Sequence, residues 1–597
     1  MKQSCYSQDP AKQIISRIGF ILLHSAALFF LPARQAGTNL LPQKYEPFDI
    51  VINELMVRAS PPVGLPEAEY IELFNRSGRP LNLLNWSIHI GNRSKVLYEY
   101  ILKPEGYLLI THENKEDLLR EFGDVMGLPG FPVLAMGGQT VVLRDPDGMV
   151  ISAVNYSDNW YGHSLKASGG WSLEQIDPDN PCGGASNWTA SASSSGGTPG
   201  KTNSVIGTNP DNSAPRLVRA TLRHNGNVRL HFSEPMHPWS GRSVTYYHAE
   251  ELGQPLSALP AEPFFDKTDL SFSGNFKEGR NYTISVDENL FDCAKNYIEP
   301  GNRETQFTIP AFPVPNDIII NEILFNPFPG GVNFVELVNI SGSAFDLKHL
   351  VLAGITDGQP HPAYIIAPEG YLLFPGDYVV LTTDPERVKS YYYVPDRFVF
   401  VTMERMPQMN NESGRVAITD LRFNIIDDVQ YTSSMHSPLL SGTKGVSLER
   451  ISYTRPSGDR SNWLSASENM GFATPGYKNS QFSDLPEESS NILSVDPEIF
   501  SPDNSGYNDI ANITYNLGKP GYTGNITVYD SRGRLVRRLV RHELLGTSGI
   551  CSWDGRNESN GQARLGIYII VMELIHPDGE VKRYRETVVL GGRLRQK

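Results

Sequence analysis

Six glutamates recur as two sets along this chain: Glu54, Glu72 and Glu174 near the start, and Glu322, Glu336 and Glu449 in the middle. Paired carboxylates can move protons or ligate a hard cation. No histidine or aspartate recurs with them, and each sits inside a strand-like motif. The pattern therefore favours a structural role, satisfying backbone N–H groups or forming ion pairs at strand ends. A denser acidic group is Asp503, Asn504, Asn508 and Asp509, crowded into the loop SPDNSGYND. Hard oxygen ligands at such spacing suit Ca²⁺, although the EF-hand register is absent and Asx-rich turns form without metal. This loop is the candidate Ca²⁺ site, and no other cofactor is expected.

The usual catalytic constellations do not occur: there is no H-E-x-x-H, no G-x-S-x-G, no P-loop and no C-x-x-C. The 13 histidines, among them His89, His112, His163, His224 and His361, are scattered without i,i+4 pairing. No catalytic residue is assigned, and the chain reads as a non-enzyme. Trp188 and Trp463 are expected to anchor cores rather than to stack on sugars.

The elements that carry these residues are duplicated. IVINELMV (50–57) returns as IIINEILF (318–325), and EYIELFNRSG (69–78) as NFVELVNISG (333–342). GWSLEQI (170–176) returns as GVSLERI (445–451), Asn187-Trp188 as Asn462-Trp463, and Thr198-Pro199-Gly200 as Thr474-Pro475-Gly476. Ordered matches of this kind mark an internal repeat whose copies differ by loop insertions. Between the motifs lie short apolar runs such as GYLLIT (106–111), QTVVLRD (139–145) and DYVVLTT (377–383), separated by turn residues. Short strands at this spacing describe a β-sandwich or barrel. No run of three or more turns keeps a 3.6-residue apolar period, and Glu113–Met126 is the best helical candidate. The fold class expected is all-β, and the family resemblances these motifs carry imply tandem Ig-like β-sandwich domains.

A chain of 597 residues is too long for one core, and about three to five domains is the reasonable prior. With a formal net charge of −14 and its Lys and Arg dispersed, apart from Arg532–Arg541, it lacks the basic face of a nucleic-acid binder. Lys2, Lys12 and Arg17 precede the apolar run Ile18–Leu31, followed by Pro32, Ala33 and Ala36, the order of a secretory signal. No later segment reaches transmembrane length. Cys5 would leave with that signal. Cys182, Cys293 and Cys551 would then stand isolated in three regions, neither a disulfide framework nor a metal cluster.

The motif order INE, YIELFN, L-x-x-W, G-x-SLE, NW, TPG resembles the lamin tail domain, an Ig-like β-sandwich that recurs in secreted and surface proteins of bacteria. The resemblance covers about 49–204 and 317–480. The second copy departs at Trp86, where Leu350 or Val351 falls, and has Val446 for Trp171. Residues 214–310, with VRLHFSEPM and the ending Asp292-Cys293-Ala294-Lys295-Asn296, resemble the bacterial Ig-like domain of surface-layer and adhesin proteins. Lys295 stands there in place of the usual Gly. Residues 493–592, with Trp553-Asp554-Gly555 and Gly566-Ile567-Tyr568, resemble the Ig-like domain of flagellar hook-cap proteins and the C-terminal domains of type IX-exported proteins. The expected order is signal 1–36, linker 37–48, module 49–204, linker 205–213, module 214–310, module 317–480, linker 481–492 and module 493–592.

The function expected is a secreted or cell-surface scaffold or adhesion protein, non-catalytic, with surface or outer-membrane association. It would bind an unidentified protein or polysaccharide, not nucleic acid, through loops and strand edges. The alternatives are an accessory to a secreted nuclease or phosphatase and a passive envelope spacer.

Overall fold

The computed structural model describes residues 44–223, 226–483 and 492–592. The expected export signal 1–36, Cys5, His224 and parts of the linkers 37–48 and 481–492 lie outside the described residues. Residues 47–597 form one compact unit; of the unit before it, only residues 44–46 are described. The protein is all-β, its strands falling into small, mostly antiparallel sheets. Among the described residues, no helix is long and apolar enough to cross a membrane.

The first repeat builds a six-stranded sheet in the order Trp188–Ala190, Leu173–Gln175, Ile50–Met56, Tyr70–Asn75, Tyr107–His112, Val125–Leu128. A four-stranded sheet accompanies it: Val150–Ser157, Gly138–Arg144, Ser87–Ile90, Arg93–Val96. The second repeat reproduces the large sheet as Trp463–Ser465, Leu448–Arg450, Ile318–Leu324, Phe334–Asn339, Tyr378–Thr382, Phe400–Thr402. Even the parallel last pair recurs, Leu109 opposite Val125 and Val380 opposite Phe400. Over Glu113–Met126, the best helical candidate, one turn forms at Glu116–Leu119 after a 3-10 turn at Glu113–Lys115, and Val125–Leu128 is the parallel edge strand. Gly123 and Gly127 weaken a helix in that second half, and strand pairing takes it over.

Alternation along the strands gives the large sheet two buried faces. In the second repeat, Ile320, Val335 and Leu337 pack with Leu352, Val416 and Ile418 in the main core. Leu324, Phe334 and Val380 pack on the other face with Val388, Tyr392 and Ala473. A sheet covered on both sides needs continuous apolar strands, which is why Ile318–Leu324 is buried along its whole length. Leu350 takes the place of Trp86: Ile366 N–H donates to Leu350 O as Leu97 N–H does to Trp86 O, and both side chains are fully buried.

The intervening module pairs Leu217–Leu222, Val228–Phe232, Lys267–Ser271 and Ser257–Pro260, with a second sheet of Tyr247–Ala249, Asn281–Val286 and Glu304–Thr308. Lys295 does adopt the left-handed φ of +70° that glycine favours. Its turn is held by Asp292, whose carboxylate accepts both Asn296 N–H and Asn296 Nδ2. The last module sets Leu493–Asp496, Ala511–Asn516 and Ser548–Trp553 against a five-stranded sheet from Ile499–Phe500 to Leu535–Leu544. Trp553 and Tyr568, from the two motifs singled out in the sequence, meet edge to face at 4.8 Å in its core.

The modules are fastened to one another. Cys182 and Cys293 form a disulfide, which corrects the expectation of isolated cysteines. The two lie 111 residues apart in different modules, and only module docking brings them together. Beside them Arg144 pairs with Glu262 at 2.6 Å, and Phe265 packs on Val142 and Val150. At the next junction Arg229 pairs with Glu369 at 3.1 Å, and Leu372 enters the core of the preceding module. At the last, Gln481 donates to Leu545 O and accepts from Gly521 N–H, while Thr547 N–H donates to Ser480 O.

Candidate functional site

The recurring glutamates form one row across each large sheet. Glu54 lies directly opposite both Glu72 and Glu174, and Glu322 opposite both Glu336 and Glu449. All six are fully buried. The row is reached through a β-bulge in the central strand, between Ile52 and Glu54 and again between Ile320 and Glu322. The bulged residue is Asn53 or Asn321, so Asn and Glu are buried side by side where regular alternation would turn one of them away.

Each carboxylate oxygen faces donors of the TPG loop and its surroundings. Glu54 accepts Thr198 N–H and the Tyr70 hydroxyl, Glu72 accepts Gly200 N–H and Asn53 Nδ2, and Glu174 accepts Ser204 Oγ and Val205 N–H. The second repeat repeats this with Glu322 on Thr474 N–H, Glu336 on Gly476 N–H and Glu449 on Ser480 Oγ and Gln481 N–H. Burial, then the neighbouring carboxylates, pushes these acids up: Glu322 to about 8, and Glu336 well above the carboxylate range. In the first repeat Glu54 is raised to about 7, chiefly by burial. The arrangement latches a loop onto a sheet face; no oxygen is left facing an open cleft where a substrate could take it.

The other recurring polar residues do the same work. Asn187 spans Asp177 and Asn180 O, and Asn462 spans Ser452 and Arg455 O. Trp188 and Trp463 are buried beside them, and Trp463 donates its indole N–H to Ser457 O. Asn203 and Asn479 were not singled out in the sequence, yet each ties the bulge to the strand after it, through Asn53 O and Gln175 O or Asn321 O and Arg450 O. Their signal was present, since TPGKTNS and TPGYKNS both end in Asn-Ser.

The candidate Ca²⁺ loop is organised by its own backbone. Asp509 accepts the N–H groups of Asp503, Ser505 and Gly506, and Asp503 accepts Ser505 N–H. Asn504 and Asn508 occupy left-handed positions, φ +57° and +53°. Asp509 is thereby committed to the turn. Among the described residues, carboxylates converge instead at Asp211, Glu234 and Asp292, whose oxygens lie within 4.8 Å of one another at the junction beside the disulfide. Burial, then Asp211, pushes Glu234 up to about 8. These are hard donors of the type Ca²⁺ takes. They are scattered over 81 residues of sequence, from 211 to 292, which is why no motif announced them.

Two of the described histidines are buried. His231, pushed down to about 2 by burial and then by Arg219, bonds the Thr221 hydroxyl. His436, pushed down to about 4 by burial, bonds Ser465 Oγ. Both are neutral core groups. His436 also lines a cleft of about 840 Å³ between the second repeat and the last module. A concave junction of two modules is where binding sites concentrate.

Residues 43–158 match the family model of the Lamin Tail Domain. No curated protein matches. Among solved structures, the chain is similar to a DUF4876 family protein from Bacteroides thetaiotaomicron at 10% identity, covering 32% of this chain and 78% of that one, with a TM-score of 0.17. A tetra-tandem repeat from the extending region of a large adhesion protein matches at 9% identity over 91% of this chain and 98% of that one, TM-score 0.12. The dimeric latent PorU of Porphyromonas gingivalis matches at 11% identity over 68% and 35%, TM-score 0.14. At such scores these likenesses carry no argument about activity. What is shown is an all-β array containing one Lamin Tail Domain.

Proposed function

We propose that this protein is an exported, non-catalytic scaffold: a fixed array of β-modules that holds a binding surface away from its point of attachment. One observation carries the reading. Successive modules are fastened by a disulfide, by an ion pair beside an inserted leucine, and by a buried amide contact, so they are held in set positions rather than strung on free linkers. A disulfide between modules also suits an oxidising compartment, in agreement with the signal-like N-terminus. The non-catalytic part is supported by the use of the buried acids, which hold their own loops. The exposed loops and the cleft beside the last module remain for a partner, as protein or polysaccharide.

The test is localisation of the native protein with sequencing of its mature N-terminus, followed by pull-downs and glycan arrays on the mature chain. The reading predicts an extracytoplasmic protein with retained ligands and no turnover of nuclease or phosphatase substrates. Intact Met1 in the cytoplasm, or hydrolysis by the pure chain, defeats it.

A further inference from the structure

The cleft between the second repeat and the last module has a one-sided charge. Arg455 and Arg460 line it from the repeat, and Lys519 and His576 from the last module. No Asp or Glu is among its lining residues, in a chain whose net charge is −14. The acids that pair with these groups lie outside the lining: Asp459 with Arg455 at 2.8 Å, Asp578 and Glu580 with Lys519 at 2.6 and 3.4 Å, and Asp578 with His576 at 2.8 Å. Arg460 is exposed and donates to the Ser434 hydroxyl. The floor is apolar, from Met435, Leu464, Pro520 and Pro577, with Ser437 and Ser461 on its edges.

These features select a ligand that has apolar faces, hydroxyl groups and carboxylates together. Bidentate Arg and a Lys suit a carboxylate, and serine hydroxyls exchange hydrogen bonds with sugar hydroxyls. The apolar floor suits the C–H face of a pyranose ring. A peptide taken up by strand addition would need a long free edge. The edge strand here, Trp463–Ser465, is three residues long. A single-stranded nucleic acid would need aromatic faces for base stacking, and Trp463 is only 3% exposed.

We infer that this cleft binds an acidic polysaccharide, a chain of carboxylated pyranoses, with Arg460 and Lys519 taking the carboxylates. The inference deepens the proposed function and rests on it. The test is calorimetric titration of the full chain with tetragalacturonate, compared with the neutral galactose tetramer, with heparin oligosaccharide and with tetraglutamate. Binding of tetragalacturonate is expected, weakening as salt rises, and falling at least tenfold in Arg460→Ala and further in Arg460→Glu. Lys519→Ala is expected to act likewise, whereas Arg532→Ala, in the exposed turn beyond the far end of Thr523–Asp530 from Gly521, leaves binding unchanged. Circular dichroism and melting of each variant separate lost binding from lost folding. Equal binding of the neutral tetramer, preference for heparin or tetraglutamate, no binding at all, or indifference to Arg460 in a folded variant overturns the inference. A native partner captured through another face would leave the scaffold reading standing and this one refuted.

Discussion

Glu322 and Glu449 share one hydroxyl. Thr474 Oγ lies 3.3 Å from Glu322 Oε2 and 2.7 Å from Glu449 Oε1, and Thr198 stands likewise between Glu54 and Glu174. A threonine has one hydroxyl proton to give. Two ionised carboxylates cannot both receive it, so the shared donor adds to burial in favouring a proton on the row. Like charges directly opposite across a strand pair would also repel.

A pH dependence follows. The folded-state values of Glu54 and Glu322 are raised from the ordinary 4.5 to about 7 and about 8. These two acids hold their protons more tightly folded than unfolded and lower stability as pH rises from about 4.5 to about 8; the buried His231 and His436 act the other way up to about 6.5, so the fall is sharpest above that value. The melting temperature is expected to drop by several degrees from about pH 6.5 to about 8 in buffers of constant ionic strength. Glu322→Gln, which keeps the shape without the charge, is expected to flatten the dependence of the second repeat. A melting temperature that rises steadily from pH 5 to 8 refutes this.

Gly200 is expected to tolerate no side chain. Its φ is +74°, its N–H is bound to Glu72, and an added Cβ would sit 1.9 Å from the carbonyl oxygen of Phe122. Gly200→Ala should cost more than about 2 kcal/mol, combining left-handed strain with a backbone clash. Gly476→Ala in the second repeat should cost less, because the nearest atom there is a valine methyl, Val399 Cγ2, at 2.6 Å. Chemical denaturation of the two variants gives the order.

The repeats differ at one buried pair. Ile52 N–H donates to Ser152 Oγ, with Gln175 on the neighbouring strand; in the second repeat Ile320 N–H donates to Asp427, which pairs with Arg450 at 3.1 Å. Both partners are buried, and Arg450 also lies over the Trp463 ring. Asp427→Ser leaves a buried unpaired guanidinium and is expected to cost about 3–5 kcal/mol. Asp427→Ser with Arg450→Gln, which restores the residue types of the first repeat, should recover more than half of that loss. If the double variant is no more stable than Asp427→Ser alone, the two positions are not coupled as described.

Peptide mapping without reduction should recover Cys182 linked to Cys293, with Cys551 free. Burial pushes the Cys551 thiol up to about 12, so alkylation at pH 8 should be slow until the last module unfolds. Reduction, or Cys182→Ser, should cost about 2–4 kcal/mol in the modules it joins and leave the last module's transition in place. Rapid labelling of Cys551 in the native protein would contradict its placement.

Strand positions, the repeat and the role of its glutamates were legible because they are written in local patterns: alternation, turn residues and motifs that recur in order. Glu72 and Glu336 could be read as holders of backbone N–H groups from their setting alone. The bulge at Asn53 was hidden in an unremarkable INE, since one extra residue changes which face a side chain takes without changing composition. Asp211, Glu234 and Asp292, the disulfide and the cationic cleft depend on how modules dock. No window of sequence contains two modules' surfaces at once, so Cys293 and Lys519 carried no mark of their neighbours.

The cross-link also decides where a pull would travel. In a chain tugged from its two ends, tension arriving at Cys182 passes through the sulfur bridge to Cys293 and skips the residues between them. The strands from Leu217–Leu222 to Asn281–Val286 lie inside that bypass. Most of that module would stay folded under a load that unravels its neighbours, and about 110 residues, roughly 360–400 Å of extended backbone, would be withheld until a reductant opens the bridge.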